Sequence, residues 1–333
     1  MILQAQFDHI LTLIKKARNK ALQSVNVEQI ILYWEIGHFV SEKLDKAEWG
    51  DNTVLNLSKY LQSHDPSLSN FTKRGIYRMR QFYQAYPDFE FVSMVSTQIS
   101  WSHNLEILSS TKSFEERDFY SKLVLKEKLN VKELRRQLKS SYFERSLIAN
   151  QLLPPSLENY PRDVSNVFKD SYIFEFINLP QKHSENDLKK ALLEQLKNFI
   201  LELGKDFIFI AEEYRLQVGL KDYRVDLLFY HRELCCLVAF DLKIEDFEPS
   251  FLGQMNFYLE ALDTDVKKSH ENPSIGVLVC KNKDHEVVEY ALRRNLSPTL
   301  VADYTTKLID KNLLAEKVRE LFDLYDKNIE EGN

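Results

Sequence analysis

Three β-prone runs follow one another with almost nothing between them: Phe207–Val218, Tyr223–His231 and Leu234–Lys243. Gly219–Asp222 and Arg232-Glu233 are turn-length connections, so the runs are expected to form an antiparallel meander. An amphipathic helix over Asp187–Leu203, closed by Gly204, leads into them. After them come a helix from about Pro249 to Val266, a turn at Asn272-Pro273 and a fully apolar strand, Ile275–Cys280. A helix over Asp284–Arg294, a short strand over Thr299–Asp303 and a final helix over Lys311–Asp326 complete the pattern. The order α-β-β-β-α-β predicts a mixed sheet covered on both faces.

The first half is of another kind. Ile10, Ile14 and Ala17 recur at helical spacing, and Val27–Lys43 continues the amphipathic pattern. Trp49-Gly50-Asp51 reads as a stop and a new N-cap, and Val54, Leu57 and Leu61 share one helix face. A helix over Phe71–Tyr86 ends at Pro87, and further helices are expected over Ser113–Lys128 and Val131–Leu147. Pro154, Pro155 and Pro161 exclude a continuous helix between the halves. The expected organisation is therefore a helical domain over 1–150, a linker over 151–165 and an α/β domain over 166–333. Charge divides the same way: residues 1–150 carry 21 Lys and Arg against 17 Asp and Glu, whereas 151–333 carry 23 against 33. The chain's net charge of −6 thus averages two unlike halves.

Polar residues intrude into two of the apolar strands. Asp226 interrupts YRVDLLFY, and Asp241 and Lys243 end LVAFDLK. Residues two apart on a strand share a face, so Asp241 and Lys243 lie on one side and Leu242 on the other. If the second and third runs pair, Asp226 reaches the same face. Two carboxylates and an ammonium gathered without a purpose would be a costly cluster. A hard divalent cation supplies a purpose, because Mg²⁺ takes carboxylate, water and phosphate oxygens and stabilises charge developing on phosphorus.

An Asp followed by D-x-K on adjacent strands of an α-β-β-β-α-β unit resembles the PD-(D/E)XK nuclease superfamily. The longer text YRLQVGLKDYRVDLLFYHRELCCLVAFDLK, with FLGQMNFYLEALD and NPSIGVLVCK, resembles the YhcG-like nuclease family of bacteria. In the first half VNVEQIILYWEIG, WG, FTKRGIYRMRQFYQAYP, SWSH and ERDFYSKL resemble that family's helical N-terminal region. The resemblance spans about residues 5–145 and 170–295. It implies an α+β two-domain protein: an all-α N-terminal domain, then a restriction-endonuclease-like α/β domain with a mixed central sheet. It also implies a Mg²⁺- or Mn²⁺-dependent nuclease acting on nucleic acid, with DNA the favoured substrate.

Carried over residue by residue, Asp226 and Asp241 are the implied metal-binding acids and Lys243 the motif lysine, with the carbonyl of Leu242 as a further metal ligand. Gln254 and Tyr258 form Q-x-x-x-Y, similar to the extra motif of the RecB-like branch, and four-residue spacing puts both on one helix face. The superfamily places a glutamate on the first helix, where Glu194 is the implied candidate and Glu202 its competitor. Val225 stands where the superfamily name has proline, and Asp241 where the family more often has glutamate. The shorter acid would bring a metal closer to the strand.

Arg215, Arg224, His231, Lys281 and Lys283 neighbour the predicted site elements and are candidate phosphate contacts. In the first half, Lys73, Arg74, Arg78 and Arg80 are interleaved with Tyr77, Phe82, Tyr83 and Tyr86. With Asp51–Ser63 before it, this segment reads as helix-turn-helix-like and as a nucleic-acid contact, although its eight-residue turn is long for that motif. A homo-oligomer or protein partner held through this helical half is the competing reading.

Other chemistries lack their signatures. There is no GxxxxGK[ST], GxGxxG after a strand, HExxH or GxSxG, and His64 and His103 have no metal-ligand company. Cys235, Cys236 and Cys280 lie in apolar runs and read as core residues. No apolar run approaches the length of a membrane helix, and the first residues lack a secretory-signal pattern, so a cytoplasmic protein without membrane contact is expected. The alternative function is a catalytically inactive nuclease fold serving DNA binding or assembly.

Overall fold

The structure is a computed structural model and describes residues 2–319 apart from 150–152, 159, 163, 165–166 and 181. The chain divides into two compact units, Met1–Leu138 and Lys139–Asn333. No helix among the described residues is long and apolar enough to cross a membrane.

The first unit is helical. It comprises α1 (Ile2–Asp45), α2 (Asp51–His64), α3 (Lys73–Ala85), α4 (Phe89–Met94), α5 (Trp101–Ser110), α6 (Phe114–Glu127) and α7 (Val131–Lys139). Its helix starts are set by local chemistry: Thr72, Asp88, Ser100 and Ser113 each accept a backbone N–H of the following first turn. α3 buries Ile76, Met79 and Phe82. Tyr86 and Phe82 belong to the core around Ile30, and Tyr83 stacks on His38. The aromatics expected to interleave a nucleic-acid-binding helix are thus largely spent on packing, because their spacing matches the buried face of α3.

Gly37 marks the point where α1 meets α3. A Cβ there would lie 2.1 Å from the backbone carbonyl oxygen of Met79. Backbone cannot move aside as a side-chain tip can, so Gly37→Ala should destabilise this unit by about 1–3 kcal/mol. All three tryptophans, Trp34, Trp49 and Trp101, lie in this unit, so denaturation followed by tryptophan fluorescence reads the effect directly.

The second unit is built on a six-stranded sheet in the order β1-β6-β5-β4-β3-β2. The strands are β1 (Ser171–Ile173), β2 (Phe207–Val218), β3 (Lys221–His231), β4 (Cys236–Leu242), β5 (Ile275–Cys280) and β6 (Thr299–Thr305). β2, β3 and β4 form the antiparallel meander, and β4, β5, β6 and β1 run parallel. Its helices are α8 (Tyr142–Ile148), α9 (Pro155–Glu158), α10 (Glu185–Glu194), α11 (Leu196–Leu203), α12 (Phe251–Ala261) and α13 (His285–Leu292). Residues 311–319 are also helical, and the remainder of the expected C-terminal helix lies outside the described residues.

Alternation sorts the strands into two apolar layers. Leu227, Phe229, Val238, Phe240 and Leu242 pack with Leu188, Leu192, Phe199 and Leu203 of α10 and α11. Leu228, Leu237, Ala239 and Leu278 pack with Met255, Tyr258, Val288 and Leu292 of α12 and α13. β4 is buried along its whole length, as a strand covered on both faces must be. The single helix expected over Asp187–Leu203 is two helices that break at Gln195, whose backbone leaves the helical region at φ −111, ψ 31.

Candidate active site

The sheet face toward α12 is apolar through Leu237 and Ala239 and then turns polar at Asp241 and Lys243. Asp226 precedes Leu228 on the same face of β3. The two strands are tied at this point, because the Leu242 N–H donates to Asp226 Oδ2 at 3.0 Å. In an extended residue the N–H and C=O share one edge of the strand, so the Leu242 carbonyl also faces the Asp226 side.

Asp241 is 3% exposed. Burial pushes its pKa up to about 7; the charge of Asp226 adds to that push, while the Lys243 ammonium opposes it. Lys243 Nζ lies 3.0 Å from Asp241 Oδ2, yet that oxygen has no aligned hydrogen-bond donor. The contact is therefore an ion pair that leaves a buried carboxylate oxygen able to accept more. Lys243 lies over the Phe251 ring at 5.3 Å. Burial alone would lower its pKa, but Asp241, Glu185 and Asp226 together hold it above the ordinary lysine value.

α12 brings Gln254 and Tyr258 to the same place. The Gln254 amide donates to the Tyr258 hydroxyl, and Tyr258 is buried beneath the acids. Its phenol is pushed up by burial and by the charges of Asp241 and Asp226, against the Gln254 hydrogen bond.

The carboxylate that α10 brings near the cluster is Glu185, and Glu194 lies away from it. Ser184 caps α10 in a reciprocal box with Asp187, and Glu185 occupies the first turn. Its carboxylate is 3.9 Å from Lys243 Nζ. Its pKa is raised by burial and by Asp226 and Glu245, in spite of Lys243 and Lys189. Glu194 is exposed at the other end of α10, nine residues and roughly 13 Å along the axis. Glu202 is fully buried elsewhere, accepting from the Ile173 N–H at 3.0 Å and paired with Lys169 at 3.2 Å.

Two further residues reach the site without a motif to announce them. Lys189 of α10 lies 3.3 Å from Asp226 Oδ1 and also pairs with Glu213. Glu213 sits between the paired rows Glu212–Leu227 and Tyr214–Val225 with a left-handed backbone, φ 48. That conformation is strained for a residue with a Cβ, and such strain concentrates at functional sites.

The cationic candidates separate. Arg215 and Arg224 face each other across β2 and β3, both exposed, and pair with Asp222 and Glu213 respectively. Lys281 is exposed just past β5, its N–H donating to the Glu245 carbonyl. Lys283 is engaged by Asp170 and the Val301 carbonyl. His231 is no phosphate contact: it is 2% exposed, packed edge-on against Phe207, and its Nδ1 accepts the Leu234 N–H. The reason is parity, since His231 follows Leu227 and Phe229 onto the α11 face of β3. In the first unit Lys73 and Arg80 pair with Asp51 and Asp45, whereas no ion pair involves Arg74 or Arg78 among the described residues.

The donor set is hard: two carboxylates, a peptide carbonyl and, nearby, Glu185. No three acidic, His or Cys side chains converge on one point among the described residues.

Residues 165–319 match the YhcG PDDEXK nuclease domain, and residues 9–145 match the DUF1016 N-terminal domain. Over 347 aligned positions, covering 93% of this chain and 92% of its relative, the sequence is 30% identical to "Putative nuclease YhcG" of Escherichia coli (strain K12). The chain belongs to the YhcG family of PDDEXK nucleases. Among solved structures, a repair endonuclease from Pyrococcus abyssi overlaps 39% of this chain and 49% of its own, at 14% identity and a TM-score of 0.25. A structure of an EndoMS–dsDNA complex overlaps 38% and 45%, at 16% identity and a TM-score of 0.26. Both overlaps are too slight to bear on function. The matched nuclease domain contains the polar cluster at Asp226, Asp241 and Lys243.

Proposed function

We propose that the second unit hydrolyses phosphodiester bonds of nucleic acid, DNA first among substrates, using Mg²⁺ or Mn²⁺ held by Asp226, Asp241 and the Leu242 carbonyl. The observation that carries this reading is the convergence of Asp226, Asp241 and Lys243, with one buried Asp241 oxygen still able to accept. The ion, when bound, lowers the pKa of a water and stabilises charge on phosphorus. Lys243, held charged by its neighbours, orients the attacking water and compensates the negative charge that the phosphate brings. Tyr258 and Gln254 fix the floor beneath the acids and offer hydrogen bonds to phosphate or to metal-bound water. Glu185 and Lys189 adjust the charge around Asp226. Arg215, Arg224 and Lys281 are exposed cations on the approach, suited to backbone phosphates.

Calorimetric titration with Mn²⁺ tests the metal assignment. Wild type should bind the ion, and Asp226→Asn should lose at least about tenfold in affinity. No heat at millimolar metal, with or without DNA, would instead favour an inactive fold used for binding.

A further inference from the structure

The first unit contains an open cavity of about 800 Å³. Three arginines from three helices line it: Arg78 of α3, Arg117 of α6 and Arg135 of α7. Among the described residues Glu106 is the sole acid of that lining, and both arms of the Arg135 fork are committed to it, at 2.9 and 2.7 Å. The other two arginines are differently placed. Arg78 is half-buried and takes part in no ion pair among the described residues. Arg117 donates one Nη2 bond to the Lys112 carbonyl at 3.2 Å and lies 5.9 Å over the Tyr86 ring, but its Nε is buried with no acceptor.

A buried guanidinium N–H without an acceptor is costly, and a doubly excess-positive cavity lowers that cost by taking an anion. The rest of the lining indicates what the anion is attached to. Gln81 and Gln84 follow Arg78 along one face of α3, and Ser102 and Ser109 face them from α5. Gln81 and Ser102 offer donors and acceptors of the kind that read a base edge or a sugar, whereas the Ser109 hydroxyl donates to the Glu106 carbonyl at 3.1 Å and the Gln84 amide to Ser41 at 3.5 Å, leaving their oxygens as acceptors; Leu105 and Val131 supply apolar wall. The volume exceeds what a bare inorganic anion needs.

We propose that this cavity binds the phosphate of a nucleotide, with Arg78 and Arg117 clamping the phosphate and the glutamine and serine side chains meeting the nucleoside. The phosphate arrives on a free nucleotide or on the end of a nucleic-acid strand. The site is independent of the cleavage chemistry in the second unit, and it gives Arg78 a role other than reading a groove from the surface of a helix.

The test is calorimetric binding by the full chain in chelator, where the cleavage site is silent. The probes are deoxyadenosine 5′-monophosphate, deoxyadenosine, and a short oligonucleotide with or without a 5′-phosphate. The monophosphate or the phosphorylated strand should bind, and the phosphate-free counterpart should bind at least about tenfold more weakly. Whichever phosphorylated probe binds more tightly identifies the source. Arg78→Gln should weaken binding at least about tenfold with an unchanged tryptophan-monitored melt. Arg117→Gln should do the same, and Arg78→Lys should recover part of the loss. Equal binding with and without phosphate, wild-type affinity in Arg78→Gln, or no binding of any probe up to roughly 10 mM would overturn the proposal.

Discussion

Asp241→Asn should lower phosphodiester cleavage about 10³-fold, equivalent to about 4 kcal/mol of transition-state stabilisation, while making the metal-free protein more stable. The two effects share one cause. Asp241 is buried beside a second carboxylate, and its pKa stands at about 7 against an ordinary 3.8. The folded protein therefore binds a proton that the unfolded chain has already released between those values. Stability from this group is greatest below pH 4 and falls as the pH rises to 7, where the buried charge must be carried. Asparagine removes that penalty. The gap between variant and wild type should be near zero at pH 4 and reach about 1–3 kcal/mol above pH 7; Lys243, less neutralised in the variant, keeps it below the full value of the shift. Denaturation in chelator at several pH values, followed by far-ultraviolet circular dichroism, measures it. A variant that is inactive and less stable at pH 8 would mean that Asp241 serves the fold rather than the site.

Glu202→Ala should cost the second unit about 3–5 kcal/mol. Glu202 is fully buried, accepts the Ile173 N–H of β1 at 3.0 Å, and pairs with Lys169 at 3.2 Å and Arg145 at 3.9 Å. Truncation leaves two cations and a strand N–H in the interior with their carboxylate gone. The loss should appear in denaturation followed by far-ultraviolet circular dichroism, which reads the β-sheet of the second unit. Metal affinity should change only as far as folding does, which separates this acid from the site acids.

These two acids show how far the sequence could be read. Asp241 was legible because an acid inside a strand that is otherwise buried on both faces has no cheap structural reason to be there. The meander was legible for a related reason: its runs and turns are short, and period-2 patterning and turn chemistry are local signals. β1 was missed because three residues carry no period, and its partner β6 lies more than a hundred residues away. The break at Gln195 was missed because an amphipathic pattern runs through it undisturbed.

The site's helix residues were the harder part. Glu185 sits in a first turn, where an acid is already explained by the helix dipole and by its neighbouring cap, so nothing marks it as functional. Lys189 looks like any solvated helix lysine, and its burial against Asp226 arises only from tertiary packing. Glu194 is implied only by the family's first-helix glutamate and its distance from Gly204, and neither says which turn of α10 packs beside Asp226 and Lys243. His231 is the opposite case: the alternation that placed Asp226 and Leu228 on one face places His231 on the other, so parity already assigned it to the core. Among the cations pairing was not legible, because Lys73 and Arg80 find their acids on other helices.

Asp226, Asp241 and Lys243 are proposed to form a metal-dependent phosphodiester-cleaving site. The direct measurement is cleavage of a panel of linear, circular, branched and single-stranded DNA and of RNA, by wild type and Lys243→Ala, with Mg²⁺ and with chelator. Wild type with Mg²⁺ should cleave at least one DNA substrate, chelator should abolish cleavage, and Lys243→Ala should lose about 10³-fold with the fold intact. Cleavage that persists in chelator, or that Lys243→Ala performs at the wild-type rate, would contradict that assignment.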